Sequence, residues 1–162
     1  MIKFSIEELT TFAKEFLKKE YGIPLVVDIE MSKKMTRRFA IFYGEVDENN
    51  GERTPKVIRL SKNLLLYHDK KTILDILKHE LIHYACFVTG NPYTDGSSYF
   101  KDELKRLGVL ESKKYPYKGK VYYYQCQKCG YSFFHRIKHF EKKYIHNNCE
   151  GRFRFIEEGI VQ

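Results

Sequence analysis

His79, Glu80 and His83 stand in an HExxH arrangement within Leu77-Lys78-His79-Glu80-Leu81-Ile82-His83-Tyr84. On an α-helix, residues four apart project about 40° from one another, so the two imidazoles aim at one point and can share a metal ion. Glu80 falls about 100° from His79, where its carboxylate flanks that point and can take a proton from water without occupying the metal. This is the chemistry of a zinc hydrolase site, and such a site takes three protein ligands and keeps one position open. The HExxHxxGxxH pattern is excluded, because Cys86 and Thr89 stand where its Gly and third His would be. Two downstream carboxylates are candidates for the third ligand: Asp95, in the Tyr93-Thr94-Asp95-Gly96 turn, and Glu103, on the following helical segment. Taken singly, Asp95 is an ordinary turn residue and Glu103 an ordinary solvated charge, and residue chemistry does not choose between them.

A second set lies near the C-terminus. Cys126-x2-Cys129 and His146-x2-Cys149 form two ligand pairs separated by 16 residues, the spacing of a closed tetrahedral structural zinc site. His135 and His139 are spaced less well and read as surface residues. Cys86 stands apart and reads as a small packing residue at the end of the HExxH helix. Clustered cysteines of this kind suit metal in a reducing compartment rather than disulfides. No N-terminal signal pattern and no membrane-length apolar run is visible, which places the chain in the cytoplasm, away from membranes.

The elements that must position these residues follow from periodicity. Residues 5–20 carry Leu9, Phe12, Ala13, Phe16 and Leu17 at helical spacing, with Ser5 and Glu8 as a capping box and Gly22 and Pro24 as the stop. Three β-rich runs, 25–31, 38–46 and 56–60, are separated by turn residues and predict a small antiparallel sheet. The HExxH helix should run from about residue 72 to 88, with Leu74, Leu77, Leu81, Ala85 and Val88 turned to the core and the histidines opposite. Ser98 can cap a shorter helix bearing Phe100, Leu104 and Leu107 and ending at Gly108. The expected class is α+β: a zincin-like domain over 1–112 and a zinc-ribbon module over 113–162.

Charge divides the same way. Of the formal net charge of +8, residues 1–112 hold 18 Lys and Arg against 17 Asp and Glu, whereas residues 113–162 hold 11 against 4. The basic third also carries Tyr115, Tyr117, Tyr122, Tyr123, Tyr124, Phe133, Phe134 and Phe140, and cations interleaved with aromatics suit a single-stranded nucleic acid. The competing use of those rings is as the core of a small strand-rich module.

Leu60-Ser61, the HExxH segment, Gly90-x-x-Tyr93, Phe100 and the Cys126-x-x-Cys129-Gly module together resemble the SprT-like proteins of bacteria, relatives of the eukaryotic protease Spartan. The resemblance spans nearly the whole chain. It implies a zinc metallopeptidase, a hydrolase of protein or peptide substrates, with DNA-associated proteins as one class. In that family the third zinc ligand is commonly a loop histidine, and an ungapped reading from Gly90 to Phe100 puts Asp95 in its place, which favours Asp95 over Glu103. The family's ribbon commonly has four cysteines, so His146 is a substitution. The expected cofactors are two zinc ions, one catalytic in type at His79, His83 and Asp95 with Glu80 as base, and one structural at Cys126, Cys129, His146 and Cys149. The contrasting reading is a non-proteolytic nucleic-acid-binding regulator whose zinc sites are structural.

Overall fold

Ser5 begins the first helix as the capping box predicts: its hydroxyl accepts from the Glu8 N–H at 3.1 Å, and the Glu8 carboxylate accepts from the Ser5 N–H at 2.7 Å. The helix α1 spans Ile6–Tyr21 and ends at Gly22, whose φ of 64° lets the chain turn left-handed. The computed structural model describes residues 1–162 and divides into two compact units, Met1–Pro116 and Tyr117–Gln162.

Strands β1 (Asp28–Ser32), β2 (Ala40–Val46) and β3 (Arg53–Ser61) form one sheet in the order β1-β3-β2. The sheet is mixed, which corrects the expected antiparallel arrangement: β2 and β3 pair antiparallel as a hairpin, but β1 pairs parallel with β3. The reason lies in β3, whose Val57, Ile58, Leu60 and Ser61 are all buried. The most buried strand takes the centre, and two chain reversals bring it parallel to β1. Ile29, Ile58 and Phe42 align across the three strands on the core face, while Glu30 and Arg59 pair at 3.1 Å on the other.

Two helices follow β3. The first, α2 (Lys62–Tyr67), is not foreseen by the periodicity; Ser61 caps it by accepting from the Leu64 N–H at 3.1 Å. The second, α3 (Lys70–Val88), carries the HExxH residues and starts two residues before the expected point, at the Asp69 cap. It is buried on almost every side: Ile73, Ile76, Leu77, Leu81, Tyr84 and Ala85 join the core formed with α1 and the sheet. Ile82 and Cys86 join a second cluster with Phe100, Leu104 and Val109. Phe100 and Leu104 come from α4 (Ser98–Leu107), capped by Ser97 rather than Ser98, because it is the Ser97 hydroxyl that reaches the Phe100 N–H.

The second unit is an antiparallel sheet, ordered β5-β4-β7-β6, of β4 (Gly119–Cys126), β5 (Ser132–His135), β6 (Ile145–His146) and β7 (Gly151–Val161). Its small core is aromatic, with Tyr124, Cys126 and Phe153 buried and Tyr122, Phe133 and Phe140 packed on them. No helix is long and apolar enough to cross a membrane.

Candidate functional site

His79 and His83 sit one turn apart on the ligand face of α3, and each is held by its inner ring nitrogen. Nδ1 of His79 lies 3.3 Å from the Leu110 carbonyl, and Nδ1 of His83 lies 2.5 Å from the Tyr93 carbonyl. A carbonyl oxygen only accepts, so both Nδ1 atoms carry the proton and both Nε2 atoms present a bare lone pair. Burial, and then the neighbouring His79, lowers the His83 pKa and keeps that ring neutral. Phe100 forms the wall behind the rings, stacked on His83 at 3.9 Å between centroids and edge-on to His79 at 5.3 Å.

Asp95 closes the triangle. Its Oδ1 lies 3.2 Å from Nε2 of His79 and 3.1 Å from Nε2 of His83, and the two Nε2 atoms are 3.1 Å apart. Tetrahedral ligands at 2.0–2.1 Å from a zinc ion stand about 3.3 Å from one another. The spacing therefore fits that ion, and three mutually facing acceptors have no hydrogen bond to make among themselves without a cation. Glu103 is not part of the cluster. Its carboxylate accepts from the Tyr21 hydroxyl at 2.8 Å and from Arg106 at 2.9 Å.

Glu80 is buried beside this cluster, and its Oε2 accepts from the Phe42 N–H of β2 at 2.7 Å. Burial pushes its pKa up to about 7; the Phe42 hydrogen bond opposes the rise and the charge of Asp95 adds to it. A carboxyl group that titrates near neutrality is suited to accepting and returning a proton. Cys86 is a packing residue in the Phe100 cluster, its thiol pushed up to about 11 by burial.

In the second unit the other four sequence candidates come together. Cys126 Sγ and Cys149 Sγ are 3.5 Å apart, and Nδ1 of His146 lies 3.2 Å from the sulfurs of Cys129 and Cys149. Four donors spaced this way approach a closed tetrahedron, whose Zn–S and Zn–N bonds set neighbours about 3.6 to 3.8 Å apart, a few tenths of an ångström wider than these. Burial opposes ionisation of Cys126, yet the N–H groups of Cys129 and Lys128 hold its thiol below the ordinary range. Each pair sits on a tight turn ending in a left-handed residue, Gly130 at φ 78° and Glu150 at φ 58°. Gly151 follows because a side chain there would collide with the sulfur of Cys126 and, at 2.7 Å, with Cβ of Lys128. Tyr131 stacks on the His146 ring at 5.1 Å, fixing its orientation. His135 and His139 lie outside the cluster: His135 accepts from the Ile137 N–H, and His139 faces Glu141.

Several supporting groups carry no signal in the sequence. The Leu110 and Tyr93 carbonyls and the Phe42 N–H are main-chain atoms, so no residue type announces them. The spacing of Gly151 after Cys149 is a signal that could have been read.

A mixed α+β unit with a two-histidine helix and a carboxylate, followed by a cysteine and histidine ribbon, defines a protein with two side-chain groups able to hold metal ions. The chain belongs to the SprT-like family, whose model matches residues 6–117. It is 27% identical over 147 residues to a protein named SprT-like from Streptococcus mutans, covering 90% of this chain and 95% of the relative. It is 33% identical over 107 residues to one of the same name from Oceanobacillus iheyensis, covering 62% and 69% of the two chains.

Proposed function

We propose that the chain is a zinc-dependent metallopeptidase with a zincin-like site. The observation that carries this reading is the convergence of His79, His83 and Asp95 to within 3.2 Å of one another beside the buried carboxyl of Glu80. His79, His83 and Asp95 would hold the metal, which when bound supplies Lewis acidity to polarise a peptide carbonyl and acidify water. The Leu110 and Tyr93 carbonyls hold the imidazoles in the tautomer that exposes Nε2. Glu80 takes the proton of the attacking water on the oxygen not anchored by Phe42, then passes it to the leaving amine. A site with only a structural role has no use for a carboxyl poised there. Replacing Glu80 with Gln keeps the shape and the Phe42 hydrogen bond but removes the base, so the variant should retain its metal and lose cleavage of an unfolded protein substrate by at least about 100-fold. Equal cleavage by Glu80→Gln and wild type would remove the mechanism.

The ribbon, on this reading, carries a structural zinc and meets a single-stranded nucleic acid, which fits the family likeness to Spartan and a substrate associated with DNA. Lys128, Lys138, Lys142 and Lys143 are exposed there, as are Tyr131, Phe134 and Tyr144. Tyr124, a stacking candidate by sequence, is instead buried, with its hydroxyl donating to the Ile137 carbonyl. The double variant Lys142→Glu with Lys143→Glu should weaken binding of labelled single-stranded DNA and flatten its salt dependence. Unchanged affinity at low salt in that variant would take the nucleic acid away from this surface.

A further inference from the structure

Asp95 sits on a loop that has little else to hold it. Residues 94–96 are exposed, and the one local hydrogen bond closing the turn runs from the Ser97 N–H to the Thr94 carbonyl at 3.0 Å. The Tyr93 carbonyl, which orients His83, belongs to the same loop. A ligand so exposed cannot be fixed by burial, so the loop must be braced from its base.

The brace comes from a different element. Arg53, at the start of β3, donates through Nη1 to the Asn91 carbonyl at 2.7 Å and to the Phe87 carbonyl at 3.2 Å. Phe87 is in the last turn of α3, where carbonyls lack helical partners, and Asn91 lies at the root of the loop. The guanidinium also lies over the Tyr93 ring at 5.0 Å and the Phe87 ring at 5.6 Å, and those rings meet edge-on at 4.9 Å. Phe87 is seated against β2 because Gly44 has no side chain; a Cβ there would stand 2.6 Å from the ring. The β2–β3 hairpin, the end of α3 and the loop root are thus joined through one side chain.

We propose that Arg53 is a positioning residue for the metal site of His79, His83 and Asp95, which as an open three-ligand site would be the exchangeable one: it holds the Tyr93–Asp95 loop so that Asp95 Oδ1 and the Tyr93 carbonyl stand ready before the metal arrives. The proposal rests on the metallopeptidase reading for the identity of the site. Arg53 touches no ligand atom, and its effect passes through backbone carbonyls and the Tyr93 ring. Lysine is a poor substitute, because a point charge offers no flat face to lie over the Tyr93 and Phe87 rings while one nitrogen meets the two carbonyls.

The test uses the full chain with the ribbon zinc in place. Zinc affinity at the exchangeable site is measured by competition with a chromophoric chelator, and its geometry by the absorption spectrum of cobalt loaded there. Arg53→Ala should bind zinc about 10- to 100-fold more weakly, as losses of groups that orient ligands do, with a cobalt spectrum shifted toward higher coordination. Arg53→Lys should also be impaired, although the charge is kept. A merely structural Arg53 would leave the cobalt spectrum unchanged, so a folded Arg53→Ala with wild-type affinity and spectrum overturns the proposal. Should Arg53→Ala fail to fold by circular dichroism, Arg53→Lys decides, and wild-type affinity in it is the overturning result. A wild type that takes up no exchangeable zinc is a separate outcome: it defeats the metallopeptidase reading and, with it, the role assigned to Arg53.

Discussion

His79 and His83 stand on a helix buried by a core in which Leu77, Leu81 and Tyr84 pack against α1 and the sheet, whereas Cys126 of the ribbon is itself part of the small core it shares with Tyr124 and Phe153. In the first unit the larger part of the packing that holds the helix, against α1 and the sheet, lies apart from the imidazoles, which meet the second cluster at Phe100, and the third ligand arrives on an exposed loop. In the second, the donors and the core are one cluster. On the proposed reading the difference teaches which site depends on which: the N-terminal unit would fold and then take up a metal, while the ribbon, with little apolar surface, would need its metal to fold. The same reading gives an open three-ligand site that would exchange its metal and a closed four-ligand site that would keep it.

The sharpest way to break this contrast is to remove the ribbon's metal. Structural zinc contributes on the order of 10 kcal/mol to folding in modules of this size, so Cys126→Ser should unfold residues 117–162 while leaving the first unit intact. Amide hydrogen exchange would show fast exchange throughout β4 and β7, with α3 still protected. Protection retained in β4 would mean that the aromatic cluster suffices without metal.

A smaller effect probes the first unit. In the metal-free protein the folded-state pKa of Glu80 is raised to about 7. The native state then binds more protons than the unfolded state between the ordinary carboxyl value and 7, so stability falls as pH rises through that window. Glu80→Gln has no charge to bury. It should be more stable than wild type at pH 8 by about 3 kcal/mol, with the gap closing near pH 4. Denaturant melts of the two metal-free proteins at both pH values measure this, and a gap independent of pH would show that Glu80 does not titrate in the window assigned to it.

Much of this architecture was legible in the residues, for reasons that differ by element. The Ser5 capping box and the Gly22 stop are local, so α1 could be read with its ends. The HExxH helix could be read because its donors and apolar residues share one period, although that period suggested one buried face and the helix is buried nearly all round. The parallel pairing of β1 with β3 is not legible in the sequence, because strand order depends on which strand the core buries most, a property of β3 against all its neighbours rather than of any one run. The choice between Asp95 and Glu103 turns on a loop trajectory that residue types do not encode; the family resemblance favours Asp95, and the structure brings Asp95 to the histidines while Tyr21 and Arg106 engage Glu103. Arg53 was silent in the sequence because its partners are backbone carbonyls 34 and 38 residues away.

The central claim is an exchangeable metal held by His79, His83 and Asp95 beside a tightly held one in the ribbon, and zinc content per chain tests it most directly. Wild type, Asp95→Ala and Glu103→Ala would be loaded with zinc, passed over a mild chelating resin that strips weakly held ions, and quantified by atomic emission. Wild type and Glu103→Ala should retain two zinc ions per chain, and Asp95→Ala one. A wild-type count of one that His79→Ala leaves unchanged, or metal lost from Glu103→Ala but kept by Asp95→Ala, would contradict the account.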